Sequence, residues 1–190
     1  HPEAIGRFLL LLPGRLSRGK GHVDLIRLLA DLRAVGVEVQ ALCPGNRSGR
    51  EHYVSELQSL AAALRVSDCL VFPGLREDLE SIYAGVDVVL SLSSSPESFS
   101  LTTAEALATG VPVVGYDHGG AGELLRRIFS GGLVRPGDRG ELFERVRRVL
   151  GGQLVPGPFP ADLELSEMQR KTLELYEKIV SDRCRPGESG

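Results

Sequence analysis

Short continuous apolar runs alternate along this chain with longer stretches whose apolar positions recur every three or four residues. The first run, Ile5 to Leu12, stops at Pro13-Gly14 and reads as a buried strand. Leu25, Leu28, Leu29 and Leu32 then share a helical face that Gly36 terminates. The same alternation continues. Val37 to Leu42 is a strand closed by Pro44-Gly45, and Val54, Leu57, Leu60, Ala61 and Leu64 mark a helix. Cys69 to Phe72 is a strand ended by Pro73-Gly74, and Asp78 to Tyr83 a short helix. Val86 to Leu92 is a strand leading into a serine run, Ser93 to Ser95. A helix from Leu101 to Thr109 follows, with Ser100 placed to cap it. Val111 to Gly115 and Leu133 to Arg135 are the last strands, with a helix between them from Gly119-Gly120 to Ile128. Asp138 and Glu141 then form a capping-box pattern before the apolar face Leu142, Phe143, Val146 and Val149.

Strands alternating with helices predict parallel β-α-β units: an α/β, Rossmann-like doubly wound sheet. Such sheets place ligands at the carboxyl ends of their strands. The pattern changes at Gly151, where Pro156, Pro158 and Pro160 bar a helix. The predicted organisation is a domain over 1–152, a Pro/Gly linker over 153–161, a helix over 162–182 with Leu165, Met168, Thr172, Leu175, Tyr176 and Ile179 along one side, and a tail over 183–190.

Composition narrows the function. With 190 residues, 42% hydrophobic, 25% charged and net charge −3, the chain has the makeup of a globular protein. It carries no basic footprint for nucleic acid, and aromatics at 5% give no base-stacking platform. No apolar run approaches a membrane span. Cys43, Cys69 and Cys184 show no C-x-x-C spacing, so buried thiols in a reducing, cytoplasmic compartment are expected. The chain begins His1-Pro2 rather than with Met, and is expected to be a piece of something longer.

The loop after the first strand reads Gly14-Arg15-Leu16-Ser17-Arg18-Gly19-Lys20-Gly21. This is the phosphate-loop spacing of a triphosphatase, G-x-x-x-x-G-K, with Gly21 where that loop carries a magnesium-binding hydroxyl. Asp87 opens its strand rather than closing it, so the second acid such an enzyme needs is missing. No G-x-G-x-x-G follows the first strand, which removes a nicotinamide site. What remains is a strand–loop–helix turn whose amides, with the Arg15 fork and the Lys20 ammonium, suit phosphate.

The stretch SSSPESFSLTTAEALATGVPVVGYDHGG, residues 93 to 120, adds two carboxylates, Glu97 and Glu105. Pro96 places Glu97 in the loop above the strand, and Glu105 falls just over one turn into the helix, so both can face one cleft. The amides of Phe99, Ser100, Leu101 and Thr102 form that helix's donor end. A third helix start, at Gly119-Gly120, is expected beside them. Carboxylates repel phosphate but accept hydrogen bonds from vicinal hydroxyls. Cations for a diphosphate beside acids for ribose and sugar describe a nucleotide-sugar.

Three motifs, in order and on the expected elements, carry a family resemblance: the loop Gly14 to Gly21, the E-x7-E pair Glu97 and Glu105 within PESFSLTTAEALATGVPVV, and Gly119-Gly120-Ala121-Gly122-Glu123. Over Ile5 to Leu150 the chain resembles the donor-binding C-terminal half of GT-B fold, retaining glycosyltransferases of the group 1 type, family 4 of the carbohydrate-enzyme classification. The resemblance implies that Arg15 and Lys20 neutralise the leaving diphosphate and that Glu105 holds the ribose. Glu97 would meet the transferred sugar, and the amides of residues 99 to 102, with Gly14, would cradle sugar and phosphate. His22, His118, Gly119 and Gly120 are further binding candidates, and Leu75 lies in the turn Val71 to Leu75 that resembles the base-pocket segment. It also implies transfer of a hexosyl group with retention, no metal or other cofactor, and a glycan or glycolipid acceptor held by an N-terminal domain that this chain lacks. A cytoplasmic envelope-glycan pathway, with peripheral contact between the full protein and a membrane surface, fits the family. Alone, the fragment is expected to bind donor and transfer little.

Two departures stand out. The family usually has Gly where Ser100 stands, and the final segment lacks its usual Trp. A nucleotide-sugar 2-epimerase or sugar-phosphate synthase on the same fold, and a non-catalytic nucleotide-binding module, are the alternatives.

Overall fold

The computed structural model describes residues 7–163 and, past them, residues 167, 170, 173, 174 and 176. Six strands alternate with six helices: β1 (Phe8–Leu11), α1 (His22–Ala34), β2 (Val39–Leu42), α2 (Glu51–Ala63), β3 (Leu70–Val71), α3 (Leu79–Ala84), β4 (Val88–Ser91), α4 (Leu101–Ala108), β5 (Val113–Tyr116), α5 (Gly119–Ile128), β6 (Leu133–Val134) and α6 (Arg139–Leu150). All the strand pairings are parallel, in the order β3-β2-β1-β4-β5-β6. Two half-sheets are thus wound outward from β1 and β4, and the crevice between those two strands is the topological switch point.

The apolar runs become the buried layer. Leu10, Leu11, Val88, Val113 and Val114 are fully buried, as are Leu25, Ile26 and Leu29 of α1. On α2 the inward residues are Tyr53, Val54, Leu57 and Ala61. The expected Leu64 falls past the last turn and is exposed, so the face turns by one residue toward Tyr53. The strands are shorter than the apolar runs because pairing stops where the loops diverge. Cys69 closes a 3-10 turn instead of opening β3. The capping box at α6 is half made. Asp138 Oδ1 accepts from the Glu141 amide at 2.9 Å, but the Glu141 carboxylate takes the Arg135 amide rather than reaching back to Asp138. Cys43 and Cys69 are buried and free, and burial pushes the Cys43 thiol far up.

Two compact units divide at Pro158, and Ala161–Leu163 make a single 3-10 turn in the second. The helix expected over 162–182, and Cys184, lie for the most part outside the described residues.

The carboxyl-end loops are tied sideways in sheet order. The Gly45 amide donates to the Gly74 carbonyl (2.9 Å), Gly14 to Pro44 (3.1 Å), Ser94 to Gly19 (2.8 Å) and Gly120 to Glu97 (2.7 Å). These bonds join the loops after β3, β2, β1, β4 and β5 into one continuous rim, satisfying backbone groups that would otherwise need water.

Candidate functional site

The rim carries three adjoining hollows. The first, about 330 Å³, lies at the switch point, with Gly14 and Lys20 on one wall, Glu97 and Phe99 to Thr102 on the other, and Leu90 to Ser93 beneath. The second shares Gly14 with the first and is bounded by Arg15, Asn46, Leu75 and Arg76. The third shares Leu79 with the second and holds Glu77, Glu80, Tyr83 and Glu105. Together they form a trench along the carboxyl ends of β4, β1, β2 and β3.

Lys20 and Glu97 form an ion pair across the first hollow, with side chains about a third exposed. The loop that delivers Lys20 turns on Gly21, whose φ is +80°. A Cβ there would lie 2.3 Å from Leu92 Cβ and 2.4 Å from the Leu92 carbonyl oxygen. The magnesium-binding hydroxyl of a triphosphatase loop is therefore sterically barred, and the start of α1 sits against the end of β4.

At α4 the first amides to bond back are those of Thr103 and Ala104, both to the Ser100 carbonyl. Those of Leu101 and Thr102 have no intrahelical acceptor and border the first hollow. Ser100 does not cap through its side chain. Its φ is +46°, a left-handed conformation unusual outside glycine, and its Oγ pairs with Thr103 Oγ1 at 2.8 Å. Phe99 and Leu101 are exposed at the mouth.

Arg15 is exposed, without an ion-pair partner among the described residues. Arg76 is held by Asp78 in a two-pronged bond of 2.8 and 2.5 Å. Glu105 does not share a hollow with Glu97. It lies in the third, exposed, with its Oε2 accepting from the Tyr83 hydroxyl at 3.0 Å.

Four further sequence candidates, His22, His118, Gly119 and Gly120, do not line the three hollows. His22 is 2% exposed, takes no hydrogen bond at either ring nitrogen, and meets Tyr53 edge-on at 5.8 Å. Burial lowers its pKa to about 4; the nearby Ser17 carbonyl opposes this without reaching hydrogen-bond geometry, and Lys20 adds to it. His118 Nε2 is engaged by the Ser93 carbonyl at 2.8 Å, which fixes the serine loop. Gly119-Gly120 pack closely against the Glu97 loop. A Cβ on Gly120 would meet Phe99 Cα at 2.5 Å, one on Gly119 the Glu97 carbonyl oxygen at 2.6 Å, and the Gly120 amide is taken by that same carbonyl. At the α5 start the Gly120 amide is thus occupied by the Glu97 loop, and neither glycine lines the first hollow with Leu101 and Thr102. The sequence reading placed Tyr83 only as the end of a short helix and did not anticipate its bond to Glu105.

The comparisons with known proteins agree with this fold. The family described as glycosyl transferases group 1 matches residues 2–170, and the chain belongs to it. A D-inositol 3-phosphate glycosyltransferase of an Arthrobacter species is 36% identical over 140 residues, covering 70% of this chain and 32% of that protein. A 2-deoxystreptamine glucosyltransferase of Streptomyces kanamyceticus is 27% identical over 152 residues, covering 79% of this chain and 37% of that protein. Among solved structures, Anabaena HepE in complex with UDP and glucose superposes with a TM-score of 0.70 and 32% identity, covering 77% of this chain and 40% of that one. A glycosyltransferase of Rickettsia africae shares the fold with a TM-score of 0.76 at 22% identity, covering 92% of this chain and 48% of that one. The chain thus spans less than half the length of each of these proteins. Among the described residues no helix is long and apolar enough to cross a membrane.

Proposed function

We propose that this chain is the donor-binding part of a retaining glycosyltransferase, and that a nucleoside diphosphate sugar lies along the trench. The observation that carries this reading is the meeting of Lys20, Glu97 and the free amides of α4 in one hollow at the switch point, with Arg15 beside it. In transfer, the bond between sugar C1 and the diphosphate oxygen breaks, and the electron pair leaves with the diphosphate. Lys20, Arg15 and the α4 amides are placed to stabilise that charge without reorganising. Glu97 accepts from the hexose hydroxyls and Glu105 from the ribose.

The Lys20–Glu97 pair is consistent with this use. A pair this exposed contributes about 1 kcal/mol or less. A diphosphate therefore displaces it at little cost, which frees Glu97 for the sugar. Retention, a hexosyl donor, a glycan or glycolipid acceptor held by the rest of a longer protein, and a cytoplasmic setting are parts of the same proposal.

Thermal shift tests it, because a ligand that binds only the folded state raises Tm. UDP, chosen because HepE holds it, should raise Tm where uridine does not, with or without EDTA. Lys20→Ala should weaken UDP binding about tenfold to a hundredfold, the loss of one charge-assisted phosphate contact. No shift with UDP, GDP or ADP would remove the reading. A longer protein that epimerised the free nucleotide-sugar and formed no glycoside would assign the site to the epimerase alternative.

A further inference from the structure

We propose that Tyr83 is a positioning residue whose hydroxyl orients the Glu105 carboxylate for a pair of adjacent ribose hydroxyls, so that the phenol sets how strongly this site prefers a ribonucleotide to its deoxy analogue. The inference rests on the donor reading above, which places ribose at Glu105.

Tyr83 is 1% exposed, and a phenol buried so deeply needs a partner. Its hydroxyl donates to Glu105 Oε2 at 3.0 Å, from the last turn of α3 to the middle of α4. Burial first, and the charge of Glu105 next, push the phenol pKa far up, so it stays a donor at every pH of interest. Glu105 itself is exposed, and an exposed glutamate samples several rotamers that binding must freeze out. The buried phenol removes part of that freedom beforehand.

The stoichiometry leaves room for a ligand. A carboxylate offers about four lone-pair sites. Tyr83 takes one on Oε2, which leaves Oε1 and a further site on Oε2 of this exposed carboxylate for a ligand. Two vicinal hydroxyls can use both, whereas a single hydroxyl leaves one acceptor unused. Glu77 and Glu80 border the same hollow, making it acidic. It therefore suits a neutral polyol and repels phosphate, while Lys20 and Arg15 mark the phosphate end. Among the described residues no three acidic, His or Cys side chains converge as metal ligands, so the carboxylates are not explained as a cation cage.

Tyr83→Phe tests this, since it removes one oxygen and keeps the buried ring. Calorimetry on the whole chain would compare UDP with 2′,3′-dideoxy-UDP for the native protein, Tyr83→Phe and Glu105→Gln. The native protein should prefer UDP by at least about tenfold, the scale of a hydrogen bond to a charged group. Tyr83→Phe should lose most of that preference, through weaker UDP binding, with the dideoxy affinity unchanged. If Glu105→Gln loses the preference and Tyr83→Phe keeps it, the phenol only fills the core and the inference is overturned while the donor reading stands. If the native protein binds both ligands equally, or neither, Glu105 does not hold ribose, and the reading and the inference fall together.

Discussion

The Lys20 end of the trench and the Glu105 end are built from different materials. At the Lys20 end the chain is positioned by backbone: Gly21 against Leu92, the Ser94 amide on the Gly19 carbonyl, and the Gly120 amide on the Glu97 carbonyl. At the Glu105 end two short helices, α3 and α4, present side chains, and one phenol–carboxylate bond fixes the geometry. The contacts at Gly21 and Gly120 tolerate no Cβ and are shared with the fold. Side-chain contacts can change while the fold stays. Substitutions at the first end should therefore cost stability and binding together, and those at the second should cost binding selectively.

The largest effect tests the backbone end. Gly21→Ser would restore the triphosphatase-like hydroxyl, in a left-handed conformation and against the Leu92 carbonyl. Overpacking and backbone strain each cost about 1–3 kcal/mol. We expect a loss of about 3 kcal/mol or more in chemical denaturation, together with loss of UDP binding. A variant that folded normally and gained magnesium-dependent triphosphate binding would show that the loop is not held by Leu92.

The same contrast explains what the sequence disclosed. Alternating apolar runs reveal the parallel sheet because strand and helix periods differ, and Pro-Gly pairs mark where strands end. The turn from Gly14 to Gly21 was readable because its geometry depends on local glycines at fixed spacing. The Lys20–Glu97 pair spans 77 positions and the Tyr83–Glu105 bond 22, so neither leaves a local pattern. Gly119-Gly120 pointed to an anion site because glycine before a helix often serves one. Here the same smallness admits the Pro96–Phe99 backbone. His22 looked available because it begins a helix beside the loop, yet tertiary packing closes over it.

A medium effect comes from that buried imidazole, which opens α1 directly after Gly21. Its pKa falls from the ordinary 6.5 to about 4 in the folded chain, so between those values the unfolded state binds the extra proton. Stability is then full above pH 6.5 and declines as pH drops toward 4, by up to about 3 kcal/mol if the whole shift is expressed. His22→Phe keeps an aromatic ring against Tyr53 and cannot titrate. Melts between pH 4 and 7 should show a shallower acid limb for the variant. Parallel limbs would mean that His22 is solvated when protonated, and that the packing around it opens more readily than its burial suggests.

The smallest effect lies at Ser100, where the helix start that faces Lys20 becomes the helix that carries Glu105. Ser100 holds a left-handed backbone, which costs an L-residue about 1–2 kcal/mol relative to glycine. Its hydroxyl partly compensates by pairing with Thr103, which is fully buried. Ser100→Ala and Ser100→Gly both remove that hydroxyl, but only glycine relieves the backbone. The glycine variant should therefore be more stable than the alanine variant by about 1 kcal/mol, after the extra unfolded-state freedom of glycine is subtracted. Binding should separate them in the same direction, because Leu101 and Thr102, whose amides have no intrahelical acceptor, line the first hollow directly after this turn. Equal stability for the two would mean that the turn relaxes out of the left-handed region once the hydroxyl pair is gone, and that the side chain, rather than the chain path around it, sets the α4 start.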